Sequence, residues 1–171
     1  MPAAVDQARA LALEAHGEQR YGSSPYRVHL EAVVNVLERF GVDASTPEGE
    51  ALLCAAWLHD TLEDTGLEPA KIAAISPLAL ELVQCVTDEP GESRAERKTR
   101  TYPKIRAQPL SVVLKLADRI ANVEACLEPI NPRKLEMYRA EHAGFRRALE
   151  DTGDTRTVPF WTHLNRLLET A

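Results

Sequence analysis

The stretch Leu52-Leu53-Cys54-Ala55-Ala56-Trp57-Leu58-His59-Asp60-Thr61-Leu62-Glu63-Asp64 starts as an apolar run and ends in ionisable residues. Thr46 and Pro47 give it a helix start and Gly66 a stop, and nothing in it alternates with a strand's period of two. It reads as a buried helix that becomes ionisable in its last turns. Upstream, Pro25 opens a helix over Tyr26 to Phe40 that Gly41 ends. Val33, Val36, Leu37 and Phe40 form its apolar stripe, and His29, one turn before Val33, falls on that stripe and points inward.

The same helical signals recur along the chain. A first helix covers about residues 3–18, followed by a polar turn, Arg20-Tyr21-Gly22-Ser23-Ser24. Short proline-started helices are expected over 69–75 and 77–87, then a polar loop from Thr87 to Glu92. The basic segment Arg94 to Arg106 follows, with Pro103 as a kink or boundary. Pro109 or Ser111 opens a strongly apolar helix through Val123, with Asp118 and Asn122 one turn apart on one side. Asn131 and Pro132 cap a helix to about Glu150, and a last helix covers about 157–169. The expected fold is all-α, a bundle of about seven to nine helices, and the whole chain 1–171 reads as one domain.

Composition narrows the partners. The 171 residues are 44% hydrophobic and 27% charged, ordinary for a globular chain. A net charge of -6 disfavours extended nucleic acid and points to a small-molecule partner. Cys54, Cys85 and Cys126 sit in apolar helical contexts without a C-x-x-C pair, so they read as core residues of a reducing compartment. No run of about 18 apolar residues is available to span a bilayer, and Met1 to Asp6 lack the basic start of a signal peptide, so a cytoplasmic address is expected.

His29 on one helix, His59 and Asp60 on the next and Asp118 on the later apolar helix thus face inward. Burying a carboxylate is costly unless a cation or several donors meet it, and two imidazoles with two carboxylates suit Mn²⁺, Fe²⁺ or Zn²⁺. Singly, each residue has a plainer reading: an inward histidine as a hydrogen-bonded core residue, and Asp118 as an ion-pair partner of Arg119 or Lys115.

Their context resembles a known family. Ala55 to Thr65 is similar to the central motif of the HD superfamily, in the Glu-Asp-Thr form of RelA/SpoT-type alarmone hydrolase domains. The resemblance covers most of residues 8–127, through Ala15 to Arg20, Pro25 to His29 and Lys115 to Asn122, in the same order and spacing. It implies His29, His59, Asp60 and Asp118 as ligands of a divalent metal, usually manganese, with Glu63 and Asp64 beside the attacking water. On a continuous helix Glu63 follows His59, and Asp64 follows Asp60, by one turn, which keeps both acids on the metal side. Arg20 and Asn122 match family positions that contact substrate, and Lys115 and Arg97 join them as substrate-binding candidates; Arg94, Lys98 and Arg100 add positive charge for a polyphosphate.

The sequence departs from the pattern around the pocket. Tyr21 stands where the alarmone hydrolases usually carry lysine, Leu30 where proline commonly follows the first histidine, and Glu124 and Ala125 replace basic and hydroxyl residues. The resemblance therefore implies a metal-dependent phosphohydrolase acting on a small phosphorylated substrate, a nucleotide, with guanosine 3′,5′-bispyrophosphate the best single choice. A phosphomonoesterase of another nucleotide or phosphorylated cofactor is the alternative reaction, and a non-catalytic nucleotide-binding module the alternative class. The C-terminal face of Phe160, Trp161, Leu164 and Leu168 packs either on the core or on another subunit of a homo-oligomer.

Overall fold

The computed structural model describes residues 3–127 and 131–170. They form ten α-helical segments, nine of them longer than a single turn: α1 (Ala3–His16), α2 (Arg27–Arg39), α3 (Pro47–Leu58), α4 (Thr61–Asp64), α5 (Pro69–Ile75), α6 (Pro77–Val86), α7 (Arg94–Ala107), α8 (Pro109–Glu124), α9 (Pro132–Leu149) and α10 (Val158–Thr170). The all-α expectation holds. Five of them, α3, α5, α6, α8 and α9, have proline as their first residue, where its missing N–H costs nothing and its fixed φ suits the helix. Thr46, Ser76, Ser93 and Asn131 each accept a backbone N–H of the turn they cap. Gly41 follows α2 at φ 87°, a left-handed turn that side chains resist.

Helix α8 is the axis of the molecule, packing against α2, α3, α6, α7, α9 and α10. Leu110, Val112, Val113, Leu114, Leu116, Ile120 and Val123 are buried along it. Helix α3 is apolar on nearly every side because α1, α2, α6 and α8 surround it. Phe160, Trp161, Leu164 and Leu168 of α10 are buried within this chain, with α10 against α8, so that face is covered by the core. Cys54 and Cys126 are buried and Cys85 half-buried, all three as free thiols. Among the described residues, no helix is long and apolar enough to cross a membrane.

Four local expectations change. The polar turn after α1 contains a minimal antiparallel hairpin, β1 (Arg20–Tyr21) on β2 (Ser24–Pro25), which turns through Gly22 at φ 61°. Pro25 belongs to that hairpin, and α2 starts after it at Arg27. The helix expected from Pro47 through Asp64 breaks at His59-Asp60, where Asp60 has φ -98° and ψ -4° and α4 restarts at Thr61. Pro103 neither ends nor divides α7, which runs through it to Ala107.

Candidate metal centre

His59 and Asp60 occupy the turn between α3 and α4, so the break in the helix sets the two side chains around one point. The Nδ1–H of His59 donates to the Ala56 carbonyl at 2.8 Å, which leaves Nε2 as a lone-pair donor. That Nε2 lies 3.2 Å from Nε2 of His29 on α2. Asp60 Oδ2 is 2.9 Å from His59 Nε2 and 3.5 Å from His29 Nε2. Asp118 Oδ1, on α8, is 3.4 Å from His29 Nε2 and 3.8 Å from His59 Nε2. His29, His59 and Asp118 each offer an atom within 4.8 Å of the others. Both imidazoles are buried.

Neighbouring groups orient these atoms. The Tyr26 hydroxyl donates to Asp60 Oδ2 at 2.5 Å. Asn122 donates to Asp118 Oδ1 at 2.5 Å, and the Tyr21 hydroxyl donates to Asn122 Oδ1 at 2.8 Å. Lys115 Nζ holds the other Asp118 oxygen at 2.9 Å. Tyr21 also stacks on the His29 ring at a centroid distance of 4.8 Å.

The electrostatics favour positive charge among the imidazole nitrogens. Burial opposes a charged His29, yet Asp118 and Asp60 outweigh it and push its pKa up to about 9. Burial likewise opposes ionised Asp60 and Asp118, but the facing imidazoles and, for Asp118, Lys115 hold both well below the usual carboxylate range. The centre opens on a cavity of about 210 Å³ whose wall includes Glu63, Arg94, Arg97, Lys98, Lys115 and Arg119. A cluster of N and O donors under a cationic wall suits a phosphorylated ligand.

The sequence is 31% identical over 139 residues to a probable guanosine-3′,5′-bis(diphosphate) 3′-pyrophosphohydrolase of Synechocystis sp., covering 76% of this chain and 17% of that protein. It is 32% identical over 126 residues to the guanosine-3′,5′-bis(diphosphate) 3′-pyrophosphohydrolase of Aquifex aeolicus, covering 70% of this chain and again 17% of the relative. The chain thus spans less than a fifth of the length of these relatives. No family model matches. A solved structure, described with a metazoan ortholog of SpoT that hydrolyzes ppGpp, superposes with a TM-score of 0.78 at 21% identity, over 99% of this chain and 96% of that one.

The chain is a RelA/SpoT-type HD domain.

A domain of this type implies a divalent cation, and the donor set fits one: the His29 and His59 nitrogens and an Asp118 oxygen converge, Asp60 Oδ2 lies beside both imidazoles, and Asp60 and Asp118 are drawn toward ionisation. The other residues singled out in the sequence divide into two groups. Glu63, Lys115, Arg97 and Asn122 line the cavity of this HD domain. Glu63 Oε2 accepts the Asp88 backbone N–H at 3.1 Å, and Arg97 lies 3.7 Å from the Asp88 carboxylate. Asp64 and Arg20 do not line it. Asp64 Oδ2 accepts the Gln19 amide at 2.8 Å, and the exposed Arg20 guanidinium turns onto the Ser23 carbonyl. Arg100 is likewise off the cavity, on Glu96 and the Pro90 carbonyl.

The sequence gives Tyr26 and Asp88 no role at the site, and Arg119 only that of an ion-pair partner to Asp118, a place that Lys115 takes. Tyr26 lies three residues before His29, one helical turn away, a spacing that could have flagged it. Asp88 meets Lys98 at 2.9 Å across a loop, and Arg119 meets Glu141 of α9 at 2.9 Å; both contacts join distant segments and have no local signature.

Proposed function

We propose that this chain hydrolyses guanosine 3′,5′-bispyrophosphate at the 3′ position, releasing pyrophosphate and leaving GDP. The observation that carries the reading is the meeting of His29 and His59 Nε2 with the Asp60 and Asp118 oxygens at the floor of a cation-lined cavity. The names of the Synechocystis and Aquifex relatives support the substrate and the bond.

In this reading His29, His59, Asp60 and Asp118 hold Mn²⁺. A divalent ion bound there supplies Lewis acidity to a phosphoryl oxygen and makes water a better nucleophile at neutral pH. The side chains do the rest. Glu63, fixed through one oxygen by the Asp88 N–H, takes the proton of the attacking water. The water oxygen bonds to the phosphorus attached to the 3′ oxygen, that P–O bond breaks, and the 3′ oxygen leaves with the proton that Glu63 took up. Lys98, Lys115 and Arg97 on the cavity wall offset the charge of the diphosphate. Residues 1–171 serve as a single domain for this chemistry, in the cytoplasm.

Tyr21 favours a second reading. It lies on the cavity wall where the resemblance leads to a lysine, and its hydroxyl is committed to Asn122. A site with one phosphate-binding cation fewer suits a phosphomonoester of another nucleotide. Incubation with Mn²⁺ and guanosine tetraphosphate, with pyrophosphate and orthophosphate read separately and H59A/D60A as the blank, separates the two. Pyrophosphate lost in the variant supports the first reading; orthophosphate from a nucleoside monophosphate, with none from the tetraphosphate, replaces it with the second.

A further inference from the structure

A second cavity of about 770 Å³ lies on the far side of α7, between α7 and α9. This size is within the range of small-molecule sites. Its apolar floor is built from Tyr102, Pro103, Phe145 and Ala148. Phe145 is fully buried beneath it, with the Tyr102 ring edge-on at 5.9 Å between centroids.

The charges at the rim are of one sign in excess. Arg106 donates to the backbone carbonyls of Ala148 and Asp151, which orient the guanidinium without neutralising it. Among the described residues, the Arg147 guanidinium has no carboxylate or hydrogen-bond partner. The one acid of the lining, Glu141, is already held by Arg94 at 2.6 Å and Arg119 at 2.9 Å. Two guanidinium groups thus stand over an aromatic floor with their charge unmatched.

Gly144 explains how the cleft stays open. It sits inside α9, where glycine disfavours a helix, yet a Cβ built there meets no atom within 4 Å. No close approach of backbone requires it. The lack of a side chain leaves room above Phe145. The cleft also shares a wall with the metal centre, since Arg94 and Lys98 of α7 line both cavities.

We propose that the α7–α9 cleft is a binding site for a small amphiphilic anion, a flat apolar body carrying one sulfonate, carboxylate or phosphate group. The body rests on Tyr102, Pro103 and Ala148, with Phe145 closing the cleft beneath them, and the anionic group meets Arg106 and Arg147. This site is separate from the metal centre and does not depend on the reaction assigned to it.

The test is isothermal titration calorimetry of the full chain with 1-naphthalenesulfonate, alongside neutral 1-naphthylmethanol. Gly144→Leu fills the cleft while favouring the helix, and Arg147→Glu reverses one charge at an exposed position; thermal melts show that both variants remain folded. Saturable one-site binding of the sulfonate, at least tenfold tighter than the alcohol and at least tenfold weaker in each variant, is the expected result. No saturable binding to the wild type, equal binding of the alcohol, or binding within twofold of wild type in either variant overturns the proposal.

Discussion

The Nε2 atoms of His29 and His59 face each other at 3.2 Å, although one residue belongs to α2 and the other to the turn after α3. The His59 ring is fixed from behind by the Ala56 carbonyl, so its lone pair can point only into the site. A contact this short needs positive charge between the two nitrogens, as a proton on His29 or a bound cation, and the flanking carboxylates of Asp60 and Asp118 deepen that demand.

Glu63 and Asp64 are predicted to differ. Glu63 lines the cavity, whereas Asp64 is off it and tied to Gln19. Glu63→Gln is expected to lower kcat by about 10²–10⁴, the usual worth of a general base, without changing Mn²⁺ binding. Asp64→Asn is expected to cost about tenfold or less. Steady-state kinetics of both variants, each with its metal content measured, checks the contrast.

The Tyr21–Asn122–Asp118 chain positions the Asp118 oxygen that faces the His29 imidazole. Partners of ligands typically contribute about 10- to 100-fold to metal affinity. Asn122→Ala is therefore expected to weaken Mn²⁺ binding by about that factor, and Tyr21→Phe by about fivefold because it acts one bond further away. Equilibrium dialysis against Mn²⁺ reads both, and equal affinity in N122A and wild type would remove Asn122 from this role.

Glu141 links α9 to α7 and α8 through Arg94 and the buried Arg119. Burial opposes its ionisation, but hydrogen bonds and charge from Arg94 and Arg119 hold its pKa below the usual carboxylate value. A depressed carboxyl pKa adds stability that is complete above the unfolded pKa and lost as pH falls through the folded one. Glu141→Gln is expected to cost about 1–3 kcal/mol at pH 7, mainly by leaving the Arg119 charge without a carboxylate. Denaturant melts should show the gap to wild type closing below about pH 4.3.

Gly49 tests the start of α3. A Cβ there would lie 1.8 Å from the Asp43 carbonyl oxygen, a backbone atom that cannot swing aside. Gly49→Ala is expected to destabilise the fold by about 3 kcal/mol, as overpacking does, visible as a lowered Tm. An unchanged Tm would mean that the Asp43–Thr46 turn is not packed on the helix in this way.

Much of the site was legible because ligands on helices carry a periodic signature. Val33, Val36 and Leu37 placed His29 inward, and the apolar run of α8 made Asp118 conspicuous. The break at His59-Asp60 was not legible, since an apolar helix followed by polar residues reads the same whether or not it is interrupted there. The hairpin at Arg20–Pro25 is too short for a period-two pattern. Glu141 and the destination of Asp64 depend on contacts between segments remote in sequence, and Asp88 on one across a loop, for which charge alone gives no partner; Arg20 turns onto a carbonyl only three residues away, a choice set by the unforeseen hairpin.

The most direct test of the metal centre is the manganese content of the chain after equilibrium dialysis, by elemental analysis, in wild type and in the folded H29A/H59A variant. The four-residue centre predicts one Mn²⁺ per chain in the wild type and none in the variant; no bound metal in the wild type, or one ion retained by the variant, would contradict it.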